Sequence, residues 1–181
     1  LRSKVQKTAI EMDSLSARIM AQLYQRANVL HSPYQETVLP ENFFDVAIGN
    51  VPFANVQVFD PHSKELSKLK LSLHDYYFAK AISQVRPGGL VAFITSRYTL
   101  DKLNGKLREF IARKTDFVGA IRLPNTQFKE IANTDVVTDI IVLQRREDGT
   151  EAKGEPWAGT SPLVLDGKDV QVNEYFAAHP E

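Results

Sequence analysis

Residues 90–95, Leu-Val-Ala-Phe-Ile-Thr, form an apolar run without polar alternation, opened by Pro87-Gly88-Gly89. A run of that kind is a strand covered on both faces, so helices must flank the sheet that contains it. The neighbouring segments agree. Residues 8–12, 27–31 and 43–50 read as short strands. A helix capped by Asp13 or Ser14 runs through Gln25, with Leu15, Ile19 and Leu23 at helical spacing. A polar loop over 54–70 precedes an amphipathic helix over 71–86. A second long helix, 100–114, turns Leu103, Leu107, Phe110 and Ile111 inward. Strands at 116–124 and 136–146 follow. Alternation of strand and helix implies right-handed crossovers and an α/β fold with a mostly parallel sheet. After Arg146 the chain becomes polar and reads as linker, closed by a short strand at 162–166 and a small element at 172–180.

The 181 residues suffice for one domain with a sizeable core. Lys plus Arg and Asp plus Glu are 22 each, so any polyanion partner must be met by a local patch. No cysteine is present, which excludes disulfides, thiolate metal sites and a Cys nucleophile and suits a reducing cytoplasm. The four histidines show no metal-ligand spacing, so no metal is expected. No apolar run approaches the ~20 residues of a membrane span, so no membrane partner is expected. Residues 1–13 lack a signal-peptide core and an initiator Met, and the chain reads as an excised fragment.

In such sheets ligands sit beyond the carboxyl ends of the strands. The third strand ends in Gly49-Asn50-Val51-Pro52-Phe53. One reading is a plain turn, with Phe53 tucked into the core. The other is chemical. The Asn50 side-chain carbonyl and the Val51 backbone carbonyl give two acceptors converging on one point. Together they can take both N–H bonds of an amino group on a flat ring, while Phe53 stacks on that ring. Both bonds draw the nitrogen lone pair out of conjugation, which suits attack on an electrophilic methyl group.

"IGNVPF" resembles the Asn-Pro-Pro-Phe/Tyr motif of amino-group DNA methyltransferases, chiefly the adenine-N6 branch. "FFDVAIGNVPF", "HDYYFAKAISQVRPGGLVAFITSRYTLDK", "IRLPNTQF" and "TDVVTDIIVLQRR" follow in the same order as in methylase domains of phages and conjugative elements. Many of those domains lie in very large polypeptides with helicase-like segments. The modification subunits of type I restriction systems are more distantly similar. The likeness covers about residues 8–146. One departure is Val51, where the motif has its first Pro. The carbonyl acceptor is retained, but the turn is less rigid.

The resemblance implies a Rossmann-like S-adenosylmethionine-dependent fold that is N-terminally truncated. Residues 1–146 would be a partial methyltransferase domain without its first strand and Gly-rich turn, and 147–181 a linker and short C-terminal extension. It implies Asn50, Val51, Pro52 and Phe53 at the target amine. Glu11 would lie on the cofactor ribose, with the alternative of an exposed acid near a helix N-terminus. Tyr34 and Gln35 would lie at the cofactor adenine, or simply pack their loop on the sheet. Phe128 would touch the substrate base or anchor its loop. Arg97, Lys102 and Lys106 would line the substrate side. The implied activity is methyl transfer from S-adenosylmethionine to adenine in DNA, within a larger and partly helicase-like polypeptide. The alternative is a degenerate, non-catalytic module for nucleic-acid binding or assembly. Methylation of an RNA base or a protein glutamine also stays open.

Overall fold

The computed structural model describes residues 5–54, 56–124, 137–165 and 167–180. Strands β1 (Lys7–Glu11) and β2 (Ala27–His31) pair in parallel, joined by helix α1 (Ser14–Leu23). A 3-10 turn (Tyr34–Glu36) leads to β3 (Phe44–Asn50). Helices α2 (Lys64–Leu69) and α3 (Leu73–Gln84) precede β4 (Val85–Ser96), and α4 (Tyr98–Asp101) and α5 (Lys106–Ala112) precede β5 (Thr115–Leu123). β6 is Thr138–Arg145. β7 (Thr160–Leu165), β8 (Lys168–Asn173) and α6 (Glu174–Ala178) close the chain. No helix among the described residues is long and apolar enough to cross a membrane.

The main sheet has the order β3-β4-β6-β5. β3 and β4 are parallel, while β6 runs antiparallel to both β4 and β5. Three of its strands therefore share one direction and β6 opposes them. The expectation of a mostly parallel sheet holds for strand directions but not for ladders, because β6 is inserted between two strands that would otherwise be neighbours.

The apolar run of β4 predicts cover on both faces, but only one face is fully covered: Leu90, Ala92 and Ile94 are half-buried. Val91 and Phe93 are buried, and Phe93 meets Phe78 of α3 edge-on at 5.0 Å. α3 is buried almost all round, carrying Tyr76, Phe78, Ala81 and Ile82 in the core. β4 starts earlier than its Pro-Gly-Gly suggests, because residues 86–89 form an irregularity where the β3–β4 register shifts. Gly88 has φ +79 there, and a Cβ on Gly89 would lie 2.7 Å from the Asp45 carbonyl oxygen and 2.5 Å from Val85 Cγ1. Gly89→Ala is therefore expected to force β3 and β4 apart locally. Overpacking of this kind costs about 1–3 kcal/mol, read as a melting temperature lowered by several degrees.

Two further expectations are corrected. The helix over 100–114 is interrupted at Lys102–Gly105, and Leu103 is 78% exposed rather than inward. The break is fixed by Arg108, whose buried guanidinium donates to the carbonyls of Thr99, Lys102 and Ala158. Residues 147–180, expected as a linker closed by a short strand and a small element, include a β-hairpin and a helix bound to the core. Trp157 stacks on Phe117 at 4.8 Å. The Asn173 side-chain amide donates to the carbonyls of Leu100, Trp157 and Gly159, and its backbone N–H donates to Asp101. Turn-rich composition concealed this, because the anchoring comes from single residues rather than a periodic face.

β3 is an edge strand among the described residues, and β1 and β2 pair only with each other. Val46 and Ile48 share one face of the sheet with Leu90 and Ala92 and are 50% and 77% exposed, so that face is partly uncovered. On α1 only Ala17 is buried, and Leu15, Ile19 and Leu23, which fall at helical spacing, lie exposed.

Candidate functional site

β3 delivers Asn50 to its carboxyl end, beside Ile94 of β4. The Val51 N–H donates to the Ile94 carbonyl at 3.0 Å, so the last sheet bond falls one residue beyond Asn50. Val51 is buried at 2% exposure and fixes the turn. Asn50 and Pro52 are exposed, and Phe53 is 43% exposed. Phe53 therefore does not tuck into the core. The Asn50 side chain and the Val51 carbonyl have no hydrogen-bond partner among the described residues. Two open acceptors and an accessible ring share one strand tip.

Glu11 ends β1 and is half-buried. Its Oε1 accepts the Asp13 N–H at 2.8 Å, while Asp13 caps α1 by accepting the Ser16 N–H at 2.8 Å. That bond with Ser16 holds the Asp13 carboxyl below its ordinary value. The other Glu11 oxygen has no hydrogen-bond partner among the described residues. Gln35 is half-buried, and its side-chain amide is likewise uncommitted among the described residues. Phe128 lies outside the described residues.

Tyr34 takes the packing alternative. Its ring is in the core, 4.8 Å from Tyr77 and 6.2 Å from Tyr76, and its hydroxyl donates to Gln84 at 2.7 Å. Burial pushes its phenol well above the ordinary value. The side chain cannot present a face to a ligand; it anchors the loop that carries Gln35.

The basic residues divide as well. Lys102 forms an ion pair with Asp75, and Lys106 donates to the Leu69 carbonyl at 2.5 Å. Arg97 lies over the Tyr98 ring at 5.0 Å. Arg122 makes a two-pronged bond to Asp139 and a third to Asp101, and belongs to the framework.

Sequence reasoning missed the residue that joins the two sides of this region. Lys80 on α3 is buried, and its ammonium donates to the carbonyls of Tyr34 (2.8 Å), Thr37 (3.0 Å) and Gln35 (3.4 Å). It also meets Asp60 Oδ2 at 3.4 Å and lies 5.1 Å and 5.7 Å from the Tyr34 and Tyr76 ring centres. Asp60 accepts the Tyr76 hydroxyl and the amides of His62 and Ser63. One buried ammonium thus ties the loop after β2 to the segment that follows Phe53. A signal was present: Lys80 is four residues from both Tyr76 and Gln84, on a face that is otherwise core.

No family model matches the sequence. The chain is 30% identical over 145 residues to the defense against restriction protein B of Escherichia phage P1, a match covering 76% of this chain and 6% of that protein. Its structure is similar to a modification subunit of a candidate type I restriction enzyme from Vibrio vulnificus YJ016. There the TM-score is 0.67 at 14% identity, over 90% of this chain and 36% of that one. It is also similar to a candidate class I S-adenosylmethionine-dependent methyltransferase from Listeria monocytogenes. There the TM-score is 0.65 at 20% identity, over 84% of this chain and 48% of that one. The chain thus spans less than half the length of each.

Proposed function

From the class I S-adenosylmethionine-dependent methyltransferase fold that the chain adopts, we propose that it is the base-binding part of an adenine-N6 DNA methyltransferase carried in a longer polypeptide. The observation that carries this reading is the tip of β3, where Phe53 is accessible beside the uncommitted Asn50 side chain and Val51 carbonyl. Asn50 and Val51 accept the two N–H bonds of the adenine amino group. Phe53 stacks on the extruded base. Pro52 stiffens the turn between them. The amine nitrogen needs no strong base, because it sheds its proton to solvent after forming the new N–C bond; positioning supplies most of the rate.

The adenosine half of S-adenosylmethionine fits the chain, through the second Glu11 oxygen and the Gln35 amide. The first glycine of the sequence is Gly49, so no Gly-rich turn stands beside the methionine half among the described residues. When bound, the cofactor supplies an electrophilic methyl group on a sulfonium sulfur. Among the described residues β1 pairs with β2 alone and β3 with β4 alone, which leaves one edge of each free to take a further parallel strand. The Gly-rich turn would follow that strand.

The test is a methylation assay of the intact polypeptide, with labelled S-adenosylmethionine, duplex DNA and nucleoside analysis. N6-methyladenine is expected. Label only in RNA or protein would move the substrate class, and DNA binding without methylation would favour a non-catalytic module. Within this assay Phe53→Trp should retain activity. Phe53→Ala should weaken DNA engagement by about ten- to a hundredfold, the loss of one stacked base. Its melting temperature should not change, because the ring is accessible. An early-melting Phe53→Ala protein with normal DNA binding would remove Phe53 from the site.

A further inference from the structure

A cavity of about 540 Å³ is lined by Lys70, His74, Asp75, Tyr98, Lys102 and Lys106. It lies between the N-terminus of α3, the segment after β4, and Gln57 in the stretch beyond Phe53. Its wall carries three ammonium groups against one carboxylate. Burial pushes His74 below its ordinary value, so it adds no charge at neutral pH. His74 Nδ1 and Asp75 Oδ1 are buried there without a hydrogen-bond partner among the described residues.

Lys70 is exposed and differs from Lys102 and Lys106 in two ways. Its ammonium makes no hydrogen bond or ion pair among the described residues, unlike those of Lys102 and Lys106. Its backbone is left-handed, at φ 50 and ψ 46, where it ends α2. That position favours Gly or Asn, because a Cβ is strained there. A strained residue at a helix end beside a polar cavity is a backbone outlier that points to use. The exposed Tyr98, with the Arg97 guanidinium over its ring, adds an aromatic and cationic rim.

We infer that this groove holds backbone phosphates of the nucleic-acid strand on the substrate side of the Asn50–Phe53 tip. The inference rests on the DNA reading above. Lys70 is the principal contact and Lys106 the second. Both are sequence-independent, because an ammonium on a phosphate reads charge and not base.

The test is the salt dependence of DNA binding by the intact polypeptide, for the parent, Lys70→Gly and Lys106→Gln. Each lost phosphate contact should lower the log–log salt slope by about one, with affinity at low salt falling several-fold. Lys70→Gly should not lower the melting temperature, since glycine adopts the left-handed backbone freely. Its stability therefore separates a binding role from a structural one. A parent that does not bind DNA overturns both readings. A parent that binds with a slope unaffected by either substitution overturns the groove alone.

Discussion

Asn50→Ala in the intact polypeptide is expected to lower methyl transfer by about 10²–10³-fold, the usual cost of removing one preorganised hydrogen-bonding group at a reacting centre. Cofactor affinity should hardly change. The reason lies in the tip. Asn50 ends a seven-residue strand and is exposed, while the residue after it is buried and bonded to β4. Truncating Asn50 removes an acceptor without disturbing the sheet. Steady-state methylation and cofactor titration of the same protein separate the two effects. Normal turnover would sink the assignment of Asn50, and a parallel loss of cofactor binding would place it on the other ligand.

Lys80→Met is expected to be the most damaging substitution for stability. It keeps the stem and removes the ammonium, so three loop carbonyls lose a donor and Asp60 loses its buried partner. Breaking a buried pair on one side costs about 3–5 kcal/mol, to be read from denaturant unfolding. The pH dependence has a definite sign. Burial pushes the Asp60 carboxyl up, but the Tyr76 hydroxyl, the His62 amide and Lys80 outweigh it and hold the group below its ordinary value. The stability it contributes is complete above the unfolded carboxylate range, about 4, and is lost as pH falls through the lower folded value. The stability gap between the parent and Asp60→Asn should therefore narrow in acid. A gap independent of pH would show that Asp60 acts by shape and not by charge.

The apolar strands and the β3 tip were legible in the sequence because their signals are local. β2 falls where expected, and β3 differs only by its first residue. Lys80 was illegible because its partners lie 20 to 46 residues away, and a lysine on a helix ordinarily reads as solvated. For Tyr34 the sequence left cofactor contact and loop packing both open, because Gln84, which holds it in the core, lies fifty residues later. The exposed stripe of α1 shows the converse. Its periodicity reads as a face for burial, yet nothing among the described residues covers Leu15, Ile19 and Leu23.

The position of β6 bears on how the chain is made. Among the described residues β5 pairs with β6 alone, and β6 is the last of the four strands in sequence although it lies between β4 and β5 in space. On the ribosome, β5 emerges with no ladder to join, and β4 has only β3 beside it. The sheet cannot grow strand by strand; its second half waits for residue 145 and then forms as one long-range event. Arg122 and Asp139, which face each other across the β5–β6 ladder, supply a registration mark for that late insertion.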